Sequence, residues 1–168
     1  MQERWKPSVT VAAIIERKLG GRSQFMLVEE LTRDGLKLNN PAGHMDPGES
    51  PIEACAREAL EETAHSFVPT ALVGIYLSRF ERPLASGSIE DITYLRFAFC
   101  GELGPLHSER ALDEGIVRTL WMSPEDIRAS QDRHRSPLLL RCMEDHLAGR
   151  RQPMDLITTD PSVYLIGR

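Results

Sequence analysis

The sequence predicts an α/β (α+β) fold in which a mixed β-sheet is sandwiched between α-helices. Two observations carry that expectation. Strand-like runs of β-branched and apolar residues are joined by hairpin-length turns, which argues against a doubly wound parallel sheet. A single strongly specified helix interrupts the strand series at Ser50, and two more helices follow the last strand. The elements read in order. Residues 9–15 are continuously apolar, as in a strand buried on both faces. Gly20 and Gly21 mark a turn before a second strand over 24–28, and a short strand over 36–38 runs into a polar loop, 39–43, that contains Pro41. A helix over 50–63 comes next, then strands over 71–79, 92–101 and 116–122. Ser123 and Pro124 open a short helix, with serine capping and proline in the first turn. Ser136 and Pro137 open a longer one that runs to about Leu147 and is closed by Gly149.

The 168 residues suit one domain, 1–168, with a core over about 7–157 and a tail over 158–168. The net charge of −5 gives no basic face for nucleic acid or an anionic membrane, and no apolar run approaches the roughly 20 residues that span a bilayer. Cys55, Cys100 and Cys142 are odd in number and lack CxxC spacing, which reads as reduced thiols in a cytoplasmic protein.

The helix at Ser50 carries the chemistry. Ser50-Pro51-Ile52-Glu53 is a capping box. At about 100° per residue, Ile52, Ala56, Ala59, Leu60 and Thr63 share one side, which should pack on the sheet. Arg57, Glu58, Glu61 and Glu62 share the other and should face outward together. Glu58 stands three and four residues from Glu61 and Glu62, and like charges at that spacing disfavour a helix by about 0.2–0.5 kcal/mol per pair. Arg57 answers only part of this charge. On the residues alone, the cluster is either a solvated acidic face or the ligand set of a hard divalent cation such as Mg²⁺ or Mn²⁺, which prefers oxygen donors.

Gly43, Glu49, Arg57, Glu58, Glu61 and Glu62 together match the spacing of the Nudix box, so the sequence resembles the Nudix hydrolase family. Two positions depart from the family pattern: Ala64 stands where it has glycine and His65 where it has an aliphatic residue. The resemblance implies an α/β/α sandwich and hydrolysis of a phosphoanhydride with Mg²⁺ or Mn²⁺. It implies Glu58, Glu61, Glu62 and the Ala42 carbonyl as metal ligands, Glu58 as acceptor of a proton from water, and Glu49 with Arg57 as a supporting ion pair. Some family members carry a further acid in the loop before the last core strand; here that loop holds Asp113 and Glu114, with Glu114 the candidate and a plain surface carboxylate the favoured alternative.

His44, Arg79 and Arg96 are candidate substrate-binding residues, because arginine forks suit phosphate oxygens. Arg82 is a further candidate, and Tyr76, Phe80, Tyr94 and Phe97 would either stack a base or fill the core. Likeness to a phosphatase branch of the family, over about 7–157, implies release of phosphate from nucleoside tri- and diphosphates, hydroxymethylpyrimidine diphosphate and thiamine diphosphate. Cleavage to a nucleoside monophosphate and pyrophosphate, and a non-catalytic nucleotide-binding domain, are the alternatives. The expected partner is a small phosphorylated substrate, with neither nucleic acid nor membrane, and the expected state is a monomer or homodimer.

Overall fold

The computed structural model describes residues 4–84 and 86–165, the side chain of Arg82 excepted. The strands are β1 (Ser8–Leu19), β2 (Arg22–Thr32), β3 (Gly35–Asn39), β4 (Ala42–His44), β5 (His65–Pro83), β6 (Ile89–Leu106) and β7 (Ile116–Met122). The α-helices are α1 (Pro51–Thr63), α2 (Pro124–Ala129) and α3 (Leu138–Leu147), with short 3₁₀ turns over Gln131–Arg133, Met154–Leu156 and Pro161–Tyr164.

The sheet is mixed, as expected, and β1 is its hub. The N-terminal half of β1 runs parallel to β6 on one side and antiparallel to β4 on the other, and its C-terminal half pairs antiparallel with β2. The path is β3-β2-β1-β6-β5, with β4 added to β1 and β7 to β2. Because side chains alternate along a strand, the buried run of β1 feeds two cores. Val11, Ala13 and Ile15 pack with Ala54, Cys55 and Ala59 of α1. Ala12 and Ile14 pack with Ile127 of α2 and with Leu139, Cys142 and Met143 of α3. Each fully buried large side chain contributes about 1.5–3 kcal/mol, and these two layers make the sandwich.

The structure departs from the expected elements in three places. The polar loop 39–43 contains a strand, β4, whose order comes from pairing with β1 rather than from its own propensity, and Ala13 N–H donates to the Pro41 carbonyl at 2.8 Å. β5 and β6 are far longer than predicted. β5 is last in the strand order, and its register shifts beside Pro69, which has no N–H to donate. Residues 150–165 are ordered as well: Met154 and Ile157 pack on the α1 side of the core, and Tyr164 Oη donates to Glu53 Oε2 at 3.0 Å.

Ala64 ends α1 in the left-handed conformation at φ 56°, with its N–H on the Leu60 carbonyl at 2.9 Å, so alanine fills the role that glycine usually takes. The strain of about 1–2 kcal/mol is largely offset by a buried methyl worth about 0.8 kcal/mol and by the lower entropy of the unfolded alanine chain. Ala64→Gly is therefore expected to change stability by less than about 1 kcal/mol in urea denaturation, despite restoring the family residue.

Candidate active site

The loop before α1 is fixed by α1 itself. Ser50 Oγ accepts the Glu53 N–H at 3.2 Å and Glu53 Oε2 accepts the Ser50 N–H at 2.8 Å, closing the capping box. One turn on, Arg57 grips the loop with its whole fork: Nε and Nη2 donate to Glu49 at 2.9 and 2.7 Å, and Nη2 also reaches the His44 carbonyl at 2.9 Å. Glu49 Oε1 in turn accepts the Asp46 N–H at 2.7 Å. Arg57 holds the Glu49 carboxyl below the usual range.

The carboxylates do not all face outward. The buried face of α1 consists of Ala54, Cys55, Glu58, Ala59, Glu62 and Thr63, while Ala56 and Leu60 are half-buried. β4 and the edge of β1 lie against this face, so two acids project inward among alanines. Glu62 Oε2 accepts the Ala42 N–H at 2.8 Å. Glu58 presses against Gly43, where an added methyl would collide with its carboxyl group. Gly43 is thus required for the space it leaves, since its φ lies outside the left-handed region.

Burial pushes Glu58 up against the pull of Arg57, and pushes Glu62 up to about 8 against its bond to the Ala42 N–H, with Glu58, Glu30 and Asp113 adding repulsion. Arg57 Nη1 donates to both Glu58, at 2.9 Å, and Glu61, at 2.8 Å. Consequently, among the described residues no three acidic, imidazole or thiol groups stand preassembled for a metal ion. The donors nevertheless fit one. They are hard oxygens, two of them are buried with like charges for neighbours, and the Arg57 guanidinium is shared among Glu49, Glu58 and Glu61, with Arg110 at 3.8 Å from Glu61. Glu58, Glu61, Glu62 and the Ala42 carbonyl are the donors that would hold one here.

A pocket of about 990 Å³ opens beside these acids. Ala42, Gly43, Glu58 and Glu62 line it together with His44, Phe80 and Tyr94. The Tyr94 ring lies 5.9 Å from His44 and 5.7 Å from Phe80. Arg96 lines the floor at 9% exposure. Arg79 does not join it: strand alternation puts Arg79 on the opposite face of β5 from Ser78 and Phe80, where it pairs with Asp91 at 2.7 Å and Glu81 at 2.5 Å. Arg82 offers no test, because its side chain lies outside the described residues. Glu114 is exposed, and the loop acid whose charge reaches Glu58 and Glu62 is its neighbour Asp113, anchored by its N–H to the Glu61 carbonyl at 3.0 Å. Tyr76 is half-buried and donates to Asp145 of α3 at 3.0 Å, and Phe97 packs on the α1 side. Thr10, Glu30, Asn39 and Ser78 also line the pocket. Sequence reasoning missed them, because only strand register brings them to one place.

The NUDIX domain family model matches residues 6–142. The chain belongs to the Nudix hydrolase family. The phosphatase NudJ of Escherichia coli strain K12 is 31% identical over 153 residues, spanning 91% of this chain and 92% of that protein. A NUDIX hydrolase from Nitrosomonas europaea is 49% identical, superposes with a TM-score of 0.79, and covers 92% of this chain and 98% of its own. The NUDIX domain of Shewanella oneidensis NrtR, solved with ADP ribose, shares the fold at 16% identity and a TM-score of 0.60, over 87% of this chain and 90% of its own.

Proposed function

We propose that this chain is a divalent-metal-dependent phosphohydrolase, served by Mg²⁺ or Mn²⁺. Its substrates are nucleoside tri- and diphosphates and the diphosphates of small heteroaromatic alcohols, among them hydroxymethylpyrimidine diphosphate and thiamine diphosphate, and it releases orthophosphate. The observation that carries this reading is the placement of buried Glu58 and Glu62 beside Ala42, in a pocket that His44, Phe80 and Tyr94 also line. Likeness to a phosphatase supports the leaving group.

A bound cation would neutralise charge on the phosphate oxygens and acidify water. The remaining work falls to the chain. Glu58, with its affinity for protons raised by burial, accepts the proton of the attacking water. Arg57 and Glu49 hold the loop carrying Ala42 and His44 at a fixed distance from α1. The rings of Tyr94, Phe80 and His44 receive the organic group, and Arg96 faces the phosphates. The three cysteines are free and buried, which supports a cytoplasmic site of action.

Product analysis with Mg²⁺ tests the reading. Orthophosphate from a nucleoside triphosphate, a nucleoside diphosphate and hydroxymethylpyrimidine diphosphate is the expected result; pyrophosphate from the triphosphate alone would overturn the assignment of the bond cleaved. Arg57→Lys keeps the charge but loses the fork that holds Glu49 and the His44 carbonyl together. It is expected to lower kcat/KM about 10–100-fold in the same assay, with the fold retained by circular dichroism.

A further inference from the structure

Register aligns three pocket residues in a row across three strands, Arg96 on β6, Thr10 on β1 and His44 on β4. The next row outward holds Ser78 opposite Tyr94. Arg96 is buried, yet its Nε and Nη1 have no hydrogen-bond partner, and the Thr10 and Ser78 hydroxyls beside it are likewise without one. Of the nearby acids, Glu30 is bonded through Oε2 to Arg135, leaving its buried Oε1 without a partner, and Glu62 is bonded through Oε2 to the Ala42 N–H. Two unbonded N–H donors on a desolvated guanidinium are costly, and an acceptor from outside the chain would satisfy them. Arg96, Thr10 and Ser78 are all able to donate, so the acceptor they suit is an anion with several oxygens.

We infer that Arg96, Thr10 and Ser78 form a metal-independent anion subsite for the phosphoryl group that the α1 acids do not hold. The identity of the ligand rests on the functional reading above. β6 and β4 are separated only by β1, about two strand spacings or roughly 10 Å, and the long side chains of Arg96 and Glu58 shorten that span. Two linked phosphoryl groups bridge what remains. The subsite therefore selects substrates with at least two adjacent phosphates, and an organic monophosphate fills only one of the two positions.

The test is titration of inorganic pyrophosphate into the full chain in EDTA, followed by calorimetry. The wild-type protein is expected to bind, Arg96→Met to bind at least 10-fold more weakly, and Arg96→Lys to recover part of the loss. Arg128→Gln, a surface change on α2 outside the pocket, should bind as wild type does. The melting temperature of Arg96→Met should equal or exceed that of wild type, because the variant removes an unpaired buried charge. Binding unchanged in Arg96→Met, no binding by wild type, or a lowered melting temperature in Arg96→Met would each overturn the subsite. If wild type shows no Mg²⁺-dependent hydrolysis but still binds pyrophosphate through Arg96, the proposed function falls and the subsite stands. Hydrolysis with binding insensitive to Arg96 overturns the subsite alone.

Discussion

Glu58→Gln is expected to lower kcat about 10³-fold while leaving the melting temperature unchanged or raised. The substitution is isosteric and removes a carboxylate that burial already disfavours in its charged form. The folded protein therefore loses little, whereas the reaction loses both a proton acceptor and a donor to the cation. A 10³-fold loss corresponds to about 4 kcal/mol of transition-state stabilisation, within the range of a single group acting on developing charge. Steady-state kinetics with a nucleoside triphosphate and Mg²⁺, alongside thermal melting, checks both halves. A destabilised variant that retained activity would make Glu58 a structural acid.

Gly43→Ala should be nearly as damaging to catalysis and, unlike the first change, should also damage the fold. The new methyl meets the Glu58 carboxyl group, and that group cannot withdraw, since Arg57 Nη1 holds it on one side and α1 fixes its Cα. Overpacking of this kind costs about 1–3 kcal/mol. Displacing Glu58 or the Ala42 carbonyl by as little as 1 Å costs on the order of 10²-fold in rate. The cause can be isolated by a double-mutant cycle. In a Glu58→Ala background the clash has no partner, so Gly43→Ala should be near neutral for stability in urea melts; an equal penalty in both backgrounds would place the requirement for glycine in the backbone rather than in the space beside Glu58.

Much of this site is local in sequence, which is why it was legible there. The capping box, the Glu49–Arg57 pair and the acids of α1 lie within a single turn-and-helix segment, where spacing alone sets proximity. What spacing did not set is the direction of the helix faces. The angular pattern grouped Glu58 and Glu62 with the exposed side, because it counts apolar residues and knows nothing of β4. Once the 42–44 segment pairs with β1, the small residues Ala42 and Gly43 stand against α1 and leave room for two buried acids.

Arg79 and Arg96 present the same problem on strands. Both are arginines followed by a phenylalanine in a strand, yet one faces solvent beside Asp91 and the other lines the pocket. Only the pairing of β6 with β1 and β5 tells them apart. The long edge strand β5 and the ordered residues 150–165 were illegible for a related reason. Their order comes from tertiary pairing and from contacts such as Tyr164 with Glu53, which propensity does not record.

The buried acids also give the account a pH signature. Glu62 is raised from its ordinary 4.5 to about 8, so between those values the folded protein keeps a proton that the unfolded chain releases. The metal-free protein should therefore lose stability as pH rises through that window, by on the order of 1 kcal/mol per pH unit at most. A cation must displace that proton, so its binding should strengthen over the same range. Calorimetric titration of Mn²⁺ at pH 6 and pH 8, into wild type and Glu58→Gln, measures this directly. The account predicts tighter binding at pH 8 than at pH 6 and at least a 10-fold loss in the variant; equal affinity in the two proteins, at both pH values, would contradict it.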